Sequence, residues 1–510
     1  MTAPQAPDIT VVVPTYRSGA PLERLLASLD AQTLPSSRFE VLLVDDGSPA
    51  EDLARIHRIA GGHPGVVVHE APHSGWPSRP RNLGIDLARG AYVLFADHDD
   101  HLYPESLATA LADLERTGAD VFAGKEARTD QPKWALAAFD RNRDDARGRG
   151  DVHALEPTNP HKLYRVAMLR EHAIRFPDSA RALWEDVHFN VDVARHAQAV
   201  TIRADMPFYH WVREGVTAST GFTDDPNEWW AALRGVVDHI ADALGAAPDR
   251  RPDHDLLMAA QFRERVLPAL GPGLLRRPEP ERAVVLAHAR GIVDRHWSDA
   301  LDRRMPRHLA ARANLLMRGR PDLVERLARY DEGLLGVASA RRVEAGDDGT
   351  VLVRTLVRWT AHHGGFPDLV VDDDGRIRRA LDDELLRLLD PRDVDVTDDL
   401  RTATADVGVR SRESTMTWLV PTTGELTVST TPGYPDVVMR ATAVLEPATA
   451  CAGRPMPDGY WDLNTRAMLF GVVNHRAVRA NDVSDFRHLA NGRRLRVYPN
   501  IHGNLSLLVR

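Results

Sequence analysis

Residues 93–107, VLFADHDDHLYPESL, carry the signal from which the fold can be worked out. Four apolar residues, VLFA, are followed at once by DHDD at residues 97–100. A short apolar run bounded by polar residues is typical of a buried strand, and open α/β sheets bind their ligands at the carboxyl ends of strands. The stretch therefore predicts a strand that presents three carboxylates to something positive.

Length and composition narrow the class of protein. A chain of 510 residues is expected to fold into roughly two to four domains. The formal net charge of −9 argues against a nucleic-acid partner. The single cysteine, Cys451, fits a reducing compartment, and neither a signal peptide nor an apolar run of about 18 residues is evident. We expect a cytoplasmic protein, with the inner face of the membrane as a candidate location.

Apolar patterning divides the chain into three regions. Strand and helix patterns alternate over residues 8–125, which predicts a mostly parallel sheet with helices on both faces. Within this region, SPAE at residues 48–51 predicts a capping box. Residues 126–152 are polar and are interpreted as a surface loop. A helical pattern runs from about residue 225 to 335, and the short alternating runs after it indicate one or two β-sandwiches.

Two acidic pairs are candidates for chemistry. Asp97 and Asp99 could divide their work between a ligand hydroxyl and a hard divalent cation such as Mg²⁺ or Mn²⁺. The alternative is a solvated acidic loop. Glu185 and Asp186 begin a predicted helix next to apolar residues, where one of them could act as a general base. The alternative there is an N-terminal cap favoured by the helix dipole.

A proline-rich loop supplies positive charge to this region. In HSGWPSRPRNLGID, residues 73–86, the side chains of Arg79 and Arg81 and the beginning of the next helix could face a pyrophosphate. The alternative is a crossover connection with solvated arginines.

These elements follow one another in an order that resembles a known family. VVVPTYRSGAPLERLLASLDAQT, VLLVDDGS, RNLGIDLARGAYVLFADHDD and WEDVHF resemble the inverting family 2 glycosyltransferases of the GT-A fold, over roughly residues 8–215. The resemblance implies an α/β GT-A (Rossmann-like) nucleotide-sugar domain at residues 1–222. Patterning assigns residues 223–338 to a helical linker domain and residues 339–510 to an all-β region of one or two immunoglobulin-like sandwich domains.

The resemblance also implies a metal-dependent transferase with a single-displacement inverting mechanism. It assigns substrate binding to Pro14, Tyr16, Asp45, Asp46, Arg81, Asp97 and His98, metal binding (Mn²⁺ or Mg²⁺) to Asp99 and His210, and catalysis to Asp186 and Glu185. Asp45 or Asp46 would read the base, with Asp45 the better match. Asp186 would deprotonate the acceptor hydroxyl while Glu185 orients the acceptor.

The metal role of His210 has an alternative. His210 lies in FYHWVREGVTAST, residues 208–220, a segment that the resemblance expects to close over the donor. It could complete the metal shell, or it could be a core histidine at a strand end.

A narrower resemblance concerns the substrates. HKLYR (161–165), IRFPD (174–178) and the β-rich tail are similar to bacterial transferases that add N-acetylglucosamine to the polyribitol phosphate of wall teichoic acid. This implies a UDP-sugar donor, with UDP-GlcNAc as a candidate, and a glycan or polyol-phosphate polymer of the cell surface as the acceptor. Capsule, another exopolysaccharide or a small glycoside would also fit. A homo-oligomer formed through the C-terminal β region and peripheral membrane contact are further expectations.

Two other functions remain open on sequence grounds. A sugar nucleotidyltransferase would need a glycine-rich loop and a basic residue directly after the first strand, where PTYRSGAPLE fits poorly. A carbohydrate-binding protein with weak catalysis is expected to have lost Asp99 or Asp186, and both are present.

Overall fold

The computed structural model describes residues 6–129, 135–178, 182–213, 225–332, 335–345, 349–360, 368–429, 436–470, 472–479, 485–488 and 493–510. The chain separates into two compact units. The first comprises residues 1–222, 235–256 and 414–416, and the second comprises residues 223–234, 257–413 and 417–510. The domain boundaries at residues 222/223 and 338/339 stay a prediction.

The first unit is built around an eight-stranded sheet of the order β3-β2-β1-β4-β7-β6-β8-β5. Its strands are β1 (Ile9–Thr15), β2 (Phe39–Asp46), β3 (Val66–Ala71), β4 (Tyr92–Phe95), β5 (His101–Leu102), β6 (Val121–Arg128), β7 (Leu163–Arg165) and β8 (Val200–Trp211). The helices are α1 (Ala20–Asp30), α2 (Ala50–Ala60), α3 (Ser78–Leu87), α4 (Ser106–Thr117), α5 (Val166–Glu171) and α6 (Glu185–His196). The predicted α/β fold is confirmed.

The directions of the strands differ in part from the expectation. β1 runs parallel to β2 and β4, and β6 runs parallel to β8. The three-residue strand β7 is inserted between β4 and β6 and is antiparallel to both, and β5 is antiparallel to β8. The sheet is therefore mixed, although all of its strands except β5 and β7 run in one direction. Because β7 runs against its neighbours, its beginning lies at the edge where β4 and β6 end.

Helices cover both faces of the sheet. On one face, leucines of α1 and α4 join Val11 and Leu94 in a continuous core. On the other face, Phe95 makes edge contacts with Phe176 and with Phe189 of α6, at ring distances of 5.1 and 5.8 Å. All seven residues of β1 are buried, which explains why its sequence is a continuous apolar run rather than an alternating one.

Two local expectations are corrected. The predicted capping box does not form, because the Ser48 hydroxyl donates to Asp45 Oδ1 at 2.6 Å and α2 begins only at Ala50. Residues 126–152 are not simply a surface loop: β6 extends to Arg128, and four later apolar side chains are buried. These are Leu136, Ala138, Phe139 and Ala146. Residues 130–134 lie outside the described part of the chain.

A helical region follows, as predicted. Its helices are α7 (Pro226–Leu244), α8 (Arg251–Gln261), α9 (Pro272–Leu275), α10 (Glu279–His296), α11 (Asp299–Arg304), α12 (Arg307–Met317) and α13 (Pro321–Tyr330). Within the described residues, none of the helices combines the length and the apolar character that a membrane span requires.

The C-terminal region consists of antiparallel sheets, as predicted. Its strands are β9 (Leu335–Ala345), β10 (Val351–Thr360), β11 (Leu369–Val371), β12 (Ile377–Arg379), β13 (Thr404–Ser411), β14 (Thr417–Val420), β15 (Thr422–Ser429), β16 (Asp436–Leu445), β17 (Gly459–Leu469), β18 (Val472–Ala477), β19 (Asp485–His488), β20 (Arg494–Pro499) and β21 (Leu505–Val509). A four-stranded sheet has the order β15-β16-β10-β9, and a seven-stranded sheet has the order β14-β13-β17-β21-β20-β19, with β18 on β17. Trp359 of the first sheet and Ala467 of the second belong to one buried cluster, so the sheets share a core. The only cysteine, Cys451, is buried in this region.

Three short helices interrupt this region, where only strands were expected. They are α14 (Asp383–Leu388), α15 (Pro391–Val394) and α16 (Thr397–Arg401). The carboxylates of Asp382 and Asp390 accept backbone N–H groups at the first turns of α14 and α15. Aspartate caps therefore start helices that are too short to show a helical period in the sequence.

The close packing of α3 on β1 gives a test of the fold. A Cβ atom on Gly84 would lie 2.3 Å from Cγ1 of Val12, whose branched side chain has little freedom to move. Gly84→Ala should lower the free energy of unfolding by about 1–3 kcal/mol through overpacking. A Cβ atom on Gly235 of α7 would meet nothing within 4 Å. Gly235→Ala should therefore raise the free energy of unfolding by about 0.5–1 kcal/mol. Urea denaturation measures both, and equal effects would contradict the predicted contact.

Candidate functional site

Carboxyl ends of six strands meet at one edge of the sheet in the first unit. β1, β2, β3 and β4 are parallel to one another, and β6 and β8 point the same way because the antiparallel β7 separates them from β4. The residues at or just beyond these ends include Tyr16, Asp45, Asp46, Asp97, Glu126 and His210. β7 adds the residues at its beginning, His161 and Lys162, to the same edge.

Arg81 on α3 connects the two predicted acidic motifs. Its Nη2 donates to Asp97 Oδ1 and its Nη1 donates to Glu185 Oε1, both at 2.8 Å. The guanidinium is buried and lies over the ring of Phe176, 5.3 Å from the ring centroid. Although burial lowers the pKa of Arg81, the charges of Asp97 and Glu185 raise it further, so the side chain stays charged. The end of β4 and the beginning of α6 are thus held in one site.

Asp97 is also in contact with a buried histidine. Nε2 of His161 lies 3.5 Å from Asp97 Oδ2 and 3.8 Å from Asp100 Oδ2, and its other ring nitrogen lies 3.9 Å from Glu126. Burial lowers the pKa of His161, but the carboxylates of Asp97 and Glu126 outweigh it and raise the pKa to about 10. Removal from water raises the pKa of Asp97, but Arg81 and His161 hold it well below its usual range. Asp97 is therefore an ionised carboxylate between two cations.

Glu185 and Asp186 open α6, as the sequence predicts. Trp184 just before them adopts φ 58°, a left-handed conformation uncommon for a bulky residue, and this sharp turn sets the direction of both acids. Asp186 is partly exposed, and its Oδ1 accepts the backbone N–H of Val187 at 2.8 Å. Burial and the charge of Asp186 raise the pKa of Glu185 to about 7, although Arg81 opposes the shift. The two neighbouring acids thus have different environments.

Three side chains at this edge lie close enough together for a metal ion. Ligand atoms of Asp97, Asp100 and His161 are within 4.8 Å of one another. Each already has partners, however: Asp100 accepts the Tyr209 hydroxyl at 2.6 Å and the backbone N–H of Val212 at 2.7 Å. His161 and Asp100 are buried, so an ion between them would have no open face for a substrate. The cluster is explained as an ion-pair and hydrogen-bond network.

The carboxylate of Asp99 is a better candidate for a metal ligand than the Asp97–Asp100–His161 cluster. It is partly exposed, and within the described residues it takes part in no salt bridge. Burial and the charge of Asp97 raise its pKa, a repulsion that a divalent cation would relieve. His98 lies beside it, half-buried, and lowers the pKa of Asp99.

His210 does not join the Asp97–Asp100–His161 cluster. Its Nδ1 is 3.1 Å from the Tyr103 hydroxyl and its Nε2 is 3.0 Å from the Thr129 hydroxyl. Both ring nitrogens are thereby engaged, as in a buried structural histidine at a strand end. Residues 214–220 of the segment expected to close over the donor lie outside the described part of the chain.

The predicted nucleotide residues form a neighbouring part of the edge. Asp45 accepts the hydroxyl and N–H of Ser48, and Asp46 accepts the N–H groups of Ser74 and Gly75 at 2.9 and 2.8 Å. Both carboxylates are buried and order loops rather than face outward. Tyr16, 38% exposed, stacks on the ring of His73 at 4.7 Å and offers a flat aromatic surface.

Two other predicted residues of this region are placed as follows. Pro14 is buried within β1. Arg79 is exposed and pairs with Asp178 at 2.6 Å. A contact of Arg79 or Arg81 with a diphosphate stays a prediction.

Sequence reasoning missed the buried polar residues that surround Asp97 and α6. They are Glu126, Asn159, His161, Lys162 and Asn190. Lys162 is fully buried, and burial lowers its pKa to about 8. In the sequence, HKLYR enters the argument only through a resemblance. Two ionisable residues directly before an apolar strand are the signal that could have revealed these buried polar residues.

Acidic residues at the carboxyl edge of an α/β sheet lie where such sheets bind ligands, and comparisons with known proteins narrow the class of ligand. Residues 10–173 match the family described as "Glycosyl transferase family 2", and residues 226–328 match the "Glycosyl transferase TarS linker domain". Residues 10–173 thus carry a domain of the family 2 type, which confirms the predicted glycosyltransferase relationship for this part of the chain.

Individual relatives narrow the similarity. The chain is 28% identical over 259 residues to poly(ribitol-phosphate) beta-N-acetylglucosaminyltransferase TarS of Staphylococcus aureus, covering 50% of this chain and 44% of TarS. It is 29% identical over 234 residues to poly(ribitol-phosphate) beta-glucosyltransferase of Bacillus spizizenii, covering 46% and 36%. The chain thus spans less than half the length of these curated relatives. The crystal structure of S. aureus TarS 1-349 in complex with UDP-GlcNAc has a TM-score of 0.58 at 19% identity, covering 74% of this chain and 97% of that one, which supports the fold.

The raised pKa of Glu185 predicts how stability depends on pH. Between about pH 4.5 and 7 the folded protein holds a proton on Glu185 that the unfolded chain releases, so the free energy of unfolding falls as pH rises. Glu185→Gln removes this titration. The stability of the native protein minus that of Glu185→Gln should therefore decline from pH 5 to pH 7 and level off above it. Urea denaturation across this range measures the difference, and parallel curves would show that Glu185 titrates normally.

Proposed function

We propose that this protein is an inverting, metal-dependent glycosyltransferase that transfers a sugar from a UDP-sugar to a hydroxyl of a polyribitol-phosphate polymer. The observation that carries the proposal is the Arg81 bridge, which holds Asp97 and Glu185 at 2.8 Å each and so joins the two acidic motifs. A transferase of this kind needs a donor-binding group and a general base in one cleft.

The substrates follow from the relatives. TarS and the Bacillus enzyme are both named for transfer to poly(ribitol-phosphate), one of N-acetylglucosamine and the other of glucose. UDP-GlcNAc and UDP-glucose are therefore the two candidate donors. Tyr16 offers its exposed ring to the nucleotide base beside the loops that Asp45 and Asp46 order.

The chemical step is a single displacement, and Asp186 is its general base. The acceptor oxygen attacks the anomeric carbon, the bond from that carbon to the diphosphate breaks, and the acceptor proton passes to the Asp186 carboxylate. Glu185, bound by Arg81, orients the acceptor, and Asp97 binds the ribose or the sugar. The positive charge of Arg81 also lies on the side of the site where the diphosphate becomes more negative.

Asp99 is the residue that would hold a Mn²⁺ or Mg²⁺ ion. Its carboxylate is the hard oxygen ligand that these cations prefer. When bound, the ion would neutralise charge on the diphosphate. Assembly through the C-terminal β region and contact with the membrane surface stay predictions.

UDP release tests the activity and the base together. The full chain should release UDP from UDP-GlcNAc or UDP-glucose when polyribitol phosphate is added, and the polymer should gain mass. Asp186→Asn should lower this rate by roughly 10²- to 10⁴-fold with unchanged UDP affinity, because a positioned general base is lost. Asp192→Asn, on the same helix but paired with His239 at 2.9 Å, should be neutral. If neither donor shows polymer-dependent release of UDP, the proposed acceptor is wrong. If Asp186→Asn is fully active, Asp186 is not the general base.

Asp99 can be tested through donor binding alone. Calorimetry should show that the native protein binds UDP more tightly with Mn²⁺ than with EDTA. Asp99→Asn should bind UDP in Mn²⁺ buffer with the affinity that the native protein shows in EDTA, since the metal ligand is gone. An unchanged response of the variant to Mn²⁺ would place the metal elsewhere.

A further inference from the structure

The segment PTNPHK, residues 157–162, is buried from Asn159 to Lys162, leads into β7 and folds around a lysine. Nζ of Lys162 donates to the carbonyl of Pro157 at 2.6 Å, to the carbonyl of Asn159 at 2.8 Å and to Asn159 Oδ1 at 3.2 Å. Lys162 is fully buried, and within the described residues it forms no salt bridge. A buried ammonium that donates three hydrogen bonds to carbonyl groups of one short loop fixes the conformation of that loop.

The same segment is bound to the helix that carries the proposed base. Nδ2 of Asn190 on α6 lies 2.9 Å from the carbonyl of Thr158, 3.3 Å from the carbonyl of Asn159 and 3.0 Å from the carbonyl of Asp186. Its Oδ1 accepts the hydroxyl of Tyr164 on β7 at 3.0 Å. Asn190 is buried, so these bonds form away from water, where a lost partner is costly.

The other side of the segment reaches the end of β4. Glu126 Oε2 accepts Asn159 Nδ2 at 2.6 Å, which ties the segment to β6. His161 lies 3.5 Å from Asp97 and stacks on Tyr209 with ring centroids 4.1 Å apart. A continuous series of contacts therefore runs from the backbone of Asp186 through Asn190, the segment and His161 to Asp97.

We propose that Asn190 and Lys162 are positioning residues that, through the segment of residues 157–162, fix Asp186 on α6 relative to Asp97 at the end of β4. This inference rests on the proposed function, in which Asp186 is the general base. Neither side chain needs to touch substrate. Arg81 joins the side chains of the two motifs, whereas this second connection holds the backbone of α6, so the acid at residue 186 cannot tilt away from the donor.

The test compares single variants with their combination with Asp186→Asn. Asn190→Ala and Lys162→Met should each lower kcat by between about tenfold and 10²-fold, because small displacements of a catalytic group are costly. The KM for the UDP-sugar and the affinity for UDP should stay unchanged. In the Asp186→Asn background, neither variant should lower kcat appreciably further, since a base that is absent cannot be misplaced.

A matched control separates positioning from general loss of stability. Asn142→Ala also removes an amide that bonds two backbone groups, the N–H groups of Ala204 and Asp205, and should leave kcat unchanged. If Lys162→Met fails to fold, Asn190→Ala carries the test, with its thermal midpoint compared with that of the control. The inference would be overturned if the single variants had native kcat. It would also be overturned if Asn190→Ala or Lys162→Met lowered kcat by the same factor in the Asp186→Asn background. A native protein without transferase activity would instead overturn the proposed function.

Discussion

A single buried guanidinium holds the site together. Arg81 donates to Asp97, 16 residues away in sequence, and to Glu185, 104 residues away, which belong to different elements. Burial of charged groups is costly unless each has a partner, and removing the cation would leave the carboxyl groups of Asp97 and Glu185 without their shared donor. Lysine would not replace it, because only the planar fork of arginine reaches both acids at once.

The fold supplies this cation with a rigid setting. Phe95 at the end of β4 packs against Phe189 on α6, and Phe176 completes the apolar layer beneath the guanidinium. The two acids held by Arg81 have opposite pKa shifts, down for Asp97 and up for Glu185, because Asp97 also has His161 whereas Glu185 has a second carboxylate beside it. Two carboxyl groups whose pKa values are shifted in opposite directions can take different roles in one site.

Sequence patterns predicted the parts of the site that are formed by residues adjacent in the chain. The buried run VVV and the stretch VLFADHDD give β1 and β4, since apolar strands followed by carboxylates are recognisable without tertiary information. β7 has only three residues, too few for a periodic pattern, and its antiparallel direction is set by the neighbouring strands. His161 and Lys162 therefore could not be placed at the site. The hydroxyl partners of His210 come from distant positions, so its two roles could not be separated either.

The buried state of Cys451 makes the protein convenient for site-specific spectroscopy. It is the only thiol of the chain, and a buried thiol reacts slowly with labelling reagents. A cysteine introduced at an exposed position would therefore be a unique attachment point for a fluorophore or spin label, without replacement of the native one. Such a label would let the movement of individual loops be followed as a donor binds.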